Sequence, residues 1–381
     1  MSAAAAVRSA KSTVLELATT VLPAKSTAFS MIQPTGVFHL GNYLGAVKSW
    51  VDIQNQTATA FPNSNDPSVP RLLFGIADLH ALTIPKDPKS LRFTRSQAVA
   101  SMLATGIDPS RCIVFQQSQV PEHTQLYWLL STVTGMGYLN RMTQWKSKAQ
   151  LDESTSLTDA SESALSKLHL GLFAYPCLQA ADILLYKSTY VPVGEDQSQH
   201  LELTRHICAT FNKKYPGADK KPIFPEPKTI FAPFKKISSL RDPSKKMSKS
   251  DPDQTACIYI PDSPARIQKA IRRAVTDSQQ GPITYDPVTR QGIANLLEMA
   301  SGILQTTPQQ VLKDIAPKDH KELKDGVAQI IAEGLAPVRT EYERLMKDLD
   351  YVDDVARRGS LRAREIAAIT MAEVNRAVGL N

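Results

Sequence analysis

Ala28-Phe29-Ser30-Met31-Ile32-Gln33-Pro34-Thr35-Gly36, followed at once by Val37-Phe38-His39-Leu40-Gly41-Asn42, reads as strand, turn and helix in that order. The first five residues are apolar or small, and Gln33-Pro34-Thr35-Gly36 is turn chemistry. Beyond Asn42, Leu44, Val47, Trp50 and Val51 recur at helical spacing. A helix start behind a strand presents unpaired N–H groups and partial positive charge, which suits phosphate, and a glycine there lets a flat group approach the backbone. His39 adds a donor. The same residues also fit a capped helix with an incidental histidine, and the stretch alone does not separate the two. Apolar runs at 71–76 and 111–116 read as further strands among helical segments, so the chain is expected to be α/β, with a doubly wound parallel sheet and a crevice at the strands' carboxyl ends.

Lys246-Met247-Ser248-Lys249-Ser250, with Lys245 before it, lies between Asp242-Pro243 and Asp251-Pro252, whose prolines disfavour helix and mark a loop. Compact ammonium charges on a loop suit a triphosphate whose charge shifts toward a leaving group; a solvated basic loop is the alternative. Taken together, His39-Leu40-Gly41-Asn42 and Lys246–Ser250 resemble the HIGH and KMSKS signatures of class I aminoacyl-tRNA synthetases. A third stretch, Tyr175-Pro176-Cys177-Leu178-Gln179-Ala180-Ala181-Asp182-Ile183-Leu184-Leu185-Tyr186, and a fourth, Gly194-Glu195-Asp196-Gln197-Ser198-Gln199-His200-Leu201-Glu202-Leu203, resemble the tryptophanyl branch of that class, as do Arg141-Met142-Thr143-Gln144 and Ala274-Val275-Thr276-Asp277-Ser278. The resemblance runs from about residue 27 to the C-terminus.

It implies a Rossmann-like, HUP-type catalytic sheet followed by a C-terminal all-helical region that reads the anticodon. It implies an enzyme that activates L-tryptophan with ATP and passes it to tRNA(Trp), working as a homodimer with tRNA bridging the subunits. Catalysis would fall to His39, Lys246 and Lys249. ATP would be held by Gln33, Pro34, Thr35, Gly41, Asn42, Gly194, Glu195, Asp196, Ile237 and Lys246 through Ser250. Tryptophan would meet Asp182, Phe29, Tyr175, Gln197 and His80. No protein metal site is expected, and Mg2+ would bind chiefly through ATP oxygens.

Asp182 carries the specificity argument. It is a lone acid in an apolar run, where a carboxylate is costly to bury without a partner, and indole offers one N–H donor. A helix acid paired with a basic neighbour is the other explanation. Asp196 similarly suits ribose hydroxyls or a helix N-cap, and His80 suits a pocket or the core. Three departures stand out: Met31 where the bacterial pattern has glycine, Gln179 where it has methionine, and Asn42 closing the HIGH signature. Glutamine and a downstream aspartate also occur in the sister tyrosyl enzymes, so Asp182 alone does not separate tryptophan from tyrosine. A catalytically silent RNA-binding paralogue is the rival from another class.

Composition agrees without deciding. The 381 residues allow two domains, and a net charge of +7 is compatible with tRNA. Cys112, Cys177, Cys208 and Cys257 show neither disulfide nor zinc spacing, and no apolar stretch is long enough to span a bilayer. Residues 1–26 are rich in Ala, Ser and Thr, carry Arg8, Lys11 and Lys25 against Glu16, and set Val7, Val14, Leu17 and Val21 at helical spacing. They read as a mitochondrial presequence for the matrix, or as the tail of a cytoplasmic protein. Residues 27–235 then form the catalytic region with a helical insertion, and 236–381 the lysine loop and helical region. Gln56 to Pro70 reads as a surface loop. Val327, Ile330, Ile331 and Leu335, then Tyr342, Leu345, Met346 and Leu349, read as packing stripes. Arg357, Arg358, Arg362 and Arg364 either touch phosphate or are solvated, the second being preferred.

Overall fold

The computed structural model describes residues 14–16, 21–64, 66–148, 168–231, 237–249, 251–279 and 281–381. Six strands, β1 (Val14–Glu16), β2 (Thr27–Ile32), β3 (Arg71–Ile76), β4 (Ile113–Gln116), β5 (Tyr190–Val193) and β6 (Lys228–Phe231), form one sheet in the order β1-β6-β5-β2-β3-β4. Every pairing is parallel. Alternate side chains serve two cores: Leu72, Phe74 and Ile76 join one, Leu73 and Phe29 the other.

The chain leaves β2 for β3 and β4, then returns to the other side of β2 for β5 and β6. This reversal is the point at which such sheets open a crevice. β2 and β3 pair along their whole length, from Thr27↔Arg71 to Ile32↔Ile76. In contrast, β2 and β5 share only Ala28↔Tyr190, and further along the Ser30 hydroxyl bridges them by donating to the Pro192 carbonyl at 2.8 Å.

Helix α1 (Lys48–Ala60) continues a helical entry at Leu40–Asn42 and a wide π-helical turn at Tyr43–Val47. α2 (Leu170–Leu185) and α3 (Ser198–Lys214) precede and follow β5. The C-terminal helix α4 (Leu349–Val378) covers the β4 edge: a Cβ on Gly359 would lie 1.8 Å from the Val114 carbonyl oxygen, and the Gln116 N–H donates to the Ser360 hydroxyl at 3.2 Å. The edge strand is thereby closed to pairing with another chain. Residues of the later helices, Leu296, Val327, Ile331 and Leu345 among them, share one core with Leu44, Trp50 and Phe74 from the sheet region. The division expected at 235/236 falls outside the described residues.

Several expectations need adjusting. The strand expected at 111–116 begins at Ile113, because Arg111 and Cys112 donate their N–H groups to the Asp108 carbonyl in a turn. The loop expected from Gln56 begins only at Phe61, since α1 runs through Ala60 and the Phe61 N–H closes on the Thr57 carbonyl at 2.8 Å. Within the presumed leader, Val14–Glu16 is a strand, not part of a helix: it takes the free edge of β6 in register Val14↔Thr229. Residues 1–13 and 17–20 lie outside the described residues.

Candidate active site

Four adjacent strands carry polar segments just past their carboxyl ends, three of which were singled out from the sequence. Gln33-Pro34-Thr35 follows β2, Asp78–Ala81 with His80 follows β3, Gln117 follows β4, and Gly194-Glu195-Asp196-Gln197 follows β5. Gly36, at φ 90°, makes the turn after β2, a backbone angle that favours glycine.

His39 is the N-cap of the helical entry. Its Nδ1 accepts from the Asn42 N–H at 3.2 Å, while its own N–H donates to Asn42 Oδ1 at 3.3 Å. With Nδ1 occupied as acceptor, a neutral ring carries its proton on Nε2. Burial, with Lys249 and Lys246 nearby, lowers its pKa to about 3, so near neutral pH His39 is an uncharged Nε2–H donor. Gly41 is required by proximity: a Cβ there would stand 3.0 Å from the His39 ring and 3.6 Å from Met247 Cβ. The lysine loop therefore lies against this entry.

The loop is the far arm of a short antiparallel contact, Ser238↔Lys246, and the Met247 N–H donates to the Ile237 carbonyl at 3.0 Å. Met247 and Ile237 are buried anchors. The two lysines differ. Lys246 is half exposed, with Nζ 3.3 Å from Asp196 Oδ2. Lys249 donates to the Thr35 carbonyl at 2.8 Å, and burial lowers its pKa to about 8. Ser248 accepts the Cys257 thiol at its carbonyl, 2.9 Å away, and Ser250 lies outside the described residues. Asp196 is not a helix N-cap. It sits inside the 3-10 turn Glu195–Gln197, Gln197 is the residue at the start of α3, and the carboxylate is given to Lys246. Glycine at 194 is again a matter of room, since a Cβ would come within 2.8 Å of Asp196 Oδ1.

Asp182 is fully buried on α2, and it is not alone. Oδ2 accepts a hydrogen bond from His80 Nε2 at 2.6 Å; Oδ1 accepts one from His123 Nδ1 at 2.6 Å and another from Gln117 Nε2 at 2.8 Å. Burial pushes the carboxyl up, yet the two imidazoles overcome it and hold the group low, at about 2. The pairing with a basic neighbour that the sequence offered as the alternative is present: the partners are two imidazoles, His80 and His123, brought from distant segments. His123 completes its own bonding at Nε2 with the Tyr186 hydroxyl, 2.8 Å away. Phe29 is also buried, stacked on Tyr186 at 5.3 Å, and belongs to the packing behind this cluster. A carboxylate offers about four acceptor positions, so three donors leave one free on Oδ2.

A polar chain runs toward Asp196 from Tyr175, whose ring meets His80 edge-on at 6.1 Å. Tyr175 donates to Gln144 Oε1 at 3.0 Å and lies 3.2 Å from His200 Nε2; His200 Nδ1 is 3.1 Å from Gln197 Oε1, which also accepts from Gln179 Nε2 at 3.2 Å. Gln144 Nε2 in turn donates to the Asp196 carbonyl at 2.6 Å. His123 and Gln117 were not legible as site residues, because nothing around them in sequence marks them. Asp277 of the quoted Ala274–Ser278 match is structural: it holds Arg290 by two bonds, 2.8 and 2.9 Å, and Gly292 packs where a Cβ would be 2.3 Å from the Val275 oxygen. Among the described residues no group of three or more His, Cys, Asp or Glu side chains could hold a metal ion.

A model of the family described as "tRNA synthetases class I (W and Y)" matches residues 23–336. The chain is 48% identical to the mitochondrial tryptophan–tRNA ligase of Saccharomyces cerevisiae over 94% of its length and 92% of that protein's. It is 42% identical to the mitochondrial tryptophan–tRNA ligase of Schizosaccharomyces pombe over 95% of its length and 98% of that protein's. Among solved structures, the tryptophanyl-tRNA synthetase of Campylobacter jejuni complexed with ADP and tryptophan superposes with a TM-score of 0.71 at 29% identity, covering 93% of this chain and 100% of the other.

Proposed function

The chain belongs to the class I tRNA synthetases of the tryptophan and tyrosine branch, and from that premise we propose how its residues act. It is a tryptophan–tRNA ligase: it forms tryptophanyl-adenylate and pyrophosphate from L-tryptophan and ATP, then transfers the aminoacyl group to tRNA with release of AMP. The observation that carries this reading is the meeting of His39, Gly41, Lys246 and Lys249 at the sheet's switch point, in a chain that also buries the Asp182 carboxylate between two imidazoles.

In the first step the tryptophan carboxylate, ionised at neutral pH, attacks the α-phosphorus in line, and the bond to the pyrophosphate oxygen breaks. No protein nucleophile is required. Positioning and charge do the work. His39 donates Nε2–H to a phosphate oxygen without adding charge. Lys246 and Lys249 exchange their present acceptors, Asp196 and the Thr35 carbonyl, for phosphate oxygens. Freed from Lys246, Asp196 is available to the ribose hydroxyls. A magnesium ion bound through ATP oxygens supplies further charge neutralisation. The indole N–H takes the acceptor position left on Asp182 Oδ2, and since Asp182 is wholly covered, His80 has to yield as tryptophan enters.

Two features support finer points. Trp128 and Met136 are large apolar side chains left 68% and 62% exposed, which is in keeping with a homodimer that covers them. The two yeast relatives named as mitochondrial favour action in the mitochondrion. Charging of a tRNA(Trp) transcript with labelled tryptophan by the purified chain tests the whole reading: accumulation of tryptophanyl-tRNA is expected, and adenylate formation without transfer would refute the second step.

A further inference from the structure

A cavity of about 290 Å³ opens at the other end of the sheet from the crevice. Arg71 is the first residue of β3, Arg111 lies just before β4, and Arg362 comes from α4; all three line it, as does Thr57 of α1. This accounts for the one arginine of its cluster that has no carboxylate. Arg357 and Arg358 pair with Asp354 at 2.5 and 2.8 Å, and Arg364 with Glu122 at 3.2 Å. Among the described residues no ion pair within 4.0 Å engages Arg71, Arg111 or Arg362.

With Arg71, Arg111 and Arg362 in one lining the cavity carries excess positive charge, and among its described lining residues the only acid is Asp66, whose Oδ1 accepts the Ser68 N–H at 2.7 Å. Thr57 is 4% exposed, and its hydroxyl has no hydrogen-bond partner, an uncommon state for a buried polar group. The remaining wall includes Pro67, Val69 and Leu72, which offer an apolar surface beside the charges. A flat basic face would suit an extended nucleic-acid backbone; a hollow with one apolar wall suits a compact molecule with an anionic end.

We propose that this cavity binds a small phosphorylated organic molecule of mononucleotide size, its phosphate held by Arg71, Arg111 and Arg362 and its apolar part set against Pro67, Val69 and Leu72. Guanidinium forks match phosphate oxygens in pairs, and Thr57 supplies a further hydroxyl. The site is separate from the crevice, which lies past the opposite ends of β3 and β4, and it does not depend on which reaction the crevice performs.

Equilibrium dialysis of the full chain against AMP, repeated with inorganic phosphate and with a single-stranded 12-mer RNA as competitors, tests the proposal. The comparison is with the double variant Arg71→Ala/Arg362→Ala, whose ATP–pyrophosphate exchange should match the parent and so report an intact fold. The parent should bind one equivalent of AMP per chain more than the variant, with affinity for that equivalent reduced roughly 100-fold or more by the two losses, and inorganic phosphate should displace it. Equal stoichiometry and affinity in the two proteins would overturn the site. RNA binding that depends on these arginines, with no dependent AMP binding, would overturn the small-molecule assignment.

Discussion

At the scale of single residues, the two lysines of the loop make the sharpest predictions. Burial disfavours the Lys249 ammonium and brings its pKa from 10.5 to about 8. The charged form binds phosphate, so it is present below that pH and lost above it. The pH profile of kcat/KM for ATP in pyrophosphate exchange should therefore fall above about 8, while the limb in kcat lies higher, because bound triphosphate favours the ammonium. Lys249→Ala should lower kcat by roughly 10²–10³ without a change in thermal midpoint. A flat profile through pH 9 in the parent enzyme would contradict the role. Asp182→Asn keeps the size but removes the charge shared by His80 and His123. Its tryptophan KM should rise by roughly 10–100-fold, with much less effect on the KM for ATP, as measured by exchange kinetics. An equal loss for both substrates would mean that the cluster supports the fold and not the indole.

Among the elements, the closest fit is between α4 and the β4 edge. Gly359→Ala would drive a methyl group into the Val114 carbonyl, 1.8 Å away, so urea unfolding should show a loss of at least about 1–3 kcal/mol. An unchanged midpoint would show that the helix can lift from the strand at little cost. β2 and β3 were legible in the sequence almost residue for residue, because strands buried on both faces are runs of apolar residues. So was the helical entry at His39. The start of β4 was not, since the Asp108 turn that delays it has no pattern beyond a single acid, and neither was Gly359, whose reason is a backbone 245 residues away in sequence. The edge strand Val14–Glu16 looked helical because valine and leucine at that spacing satisfy either period until a partner strand is present.

Over the whole molecule, residues matched by motif and residues found only by folding lie on segments that follow the carboxyl ends of neighbouring strands or pack against those segments. His39, Lys246, Lys249, Asp182 and His80 could be named once the family resemblance was added to the local pattern. His123 and Gln117 could not, because Asp182 gathers them from elements that meet only once β4 is in the sheet. If exposed Trp128 lies in a dimer interface, Trp128→Glu should convert a dimer into a monomer in light scattering at micromolar concentration; a parent protein that is already monomeric there would exclude that interface. The reaction itself is best examined by amino-acid-dependent ATP–pyrophosphate exchange on the purified chain, with tryptophan, tyrosine and phenylalanine compared at equal concentration. Exchange driven by tryptophan, with phenylalanine weaker by roughly 10⁴ or more, is the expected result. Exchange driven by tyrosine, or none with any of the three in folded protein, would contradict it.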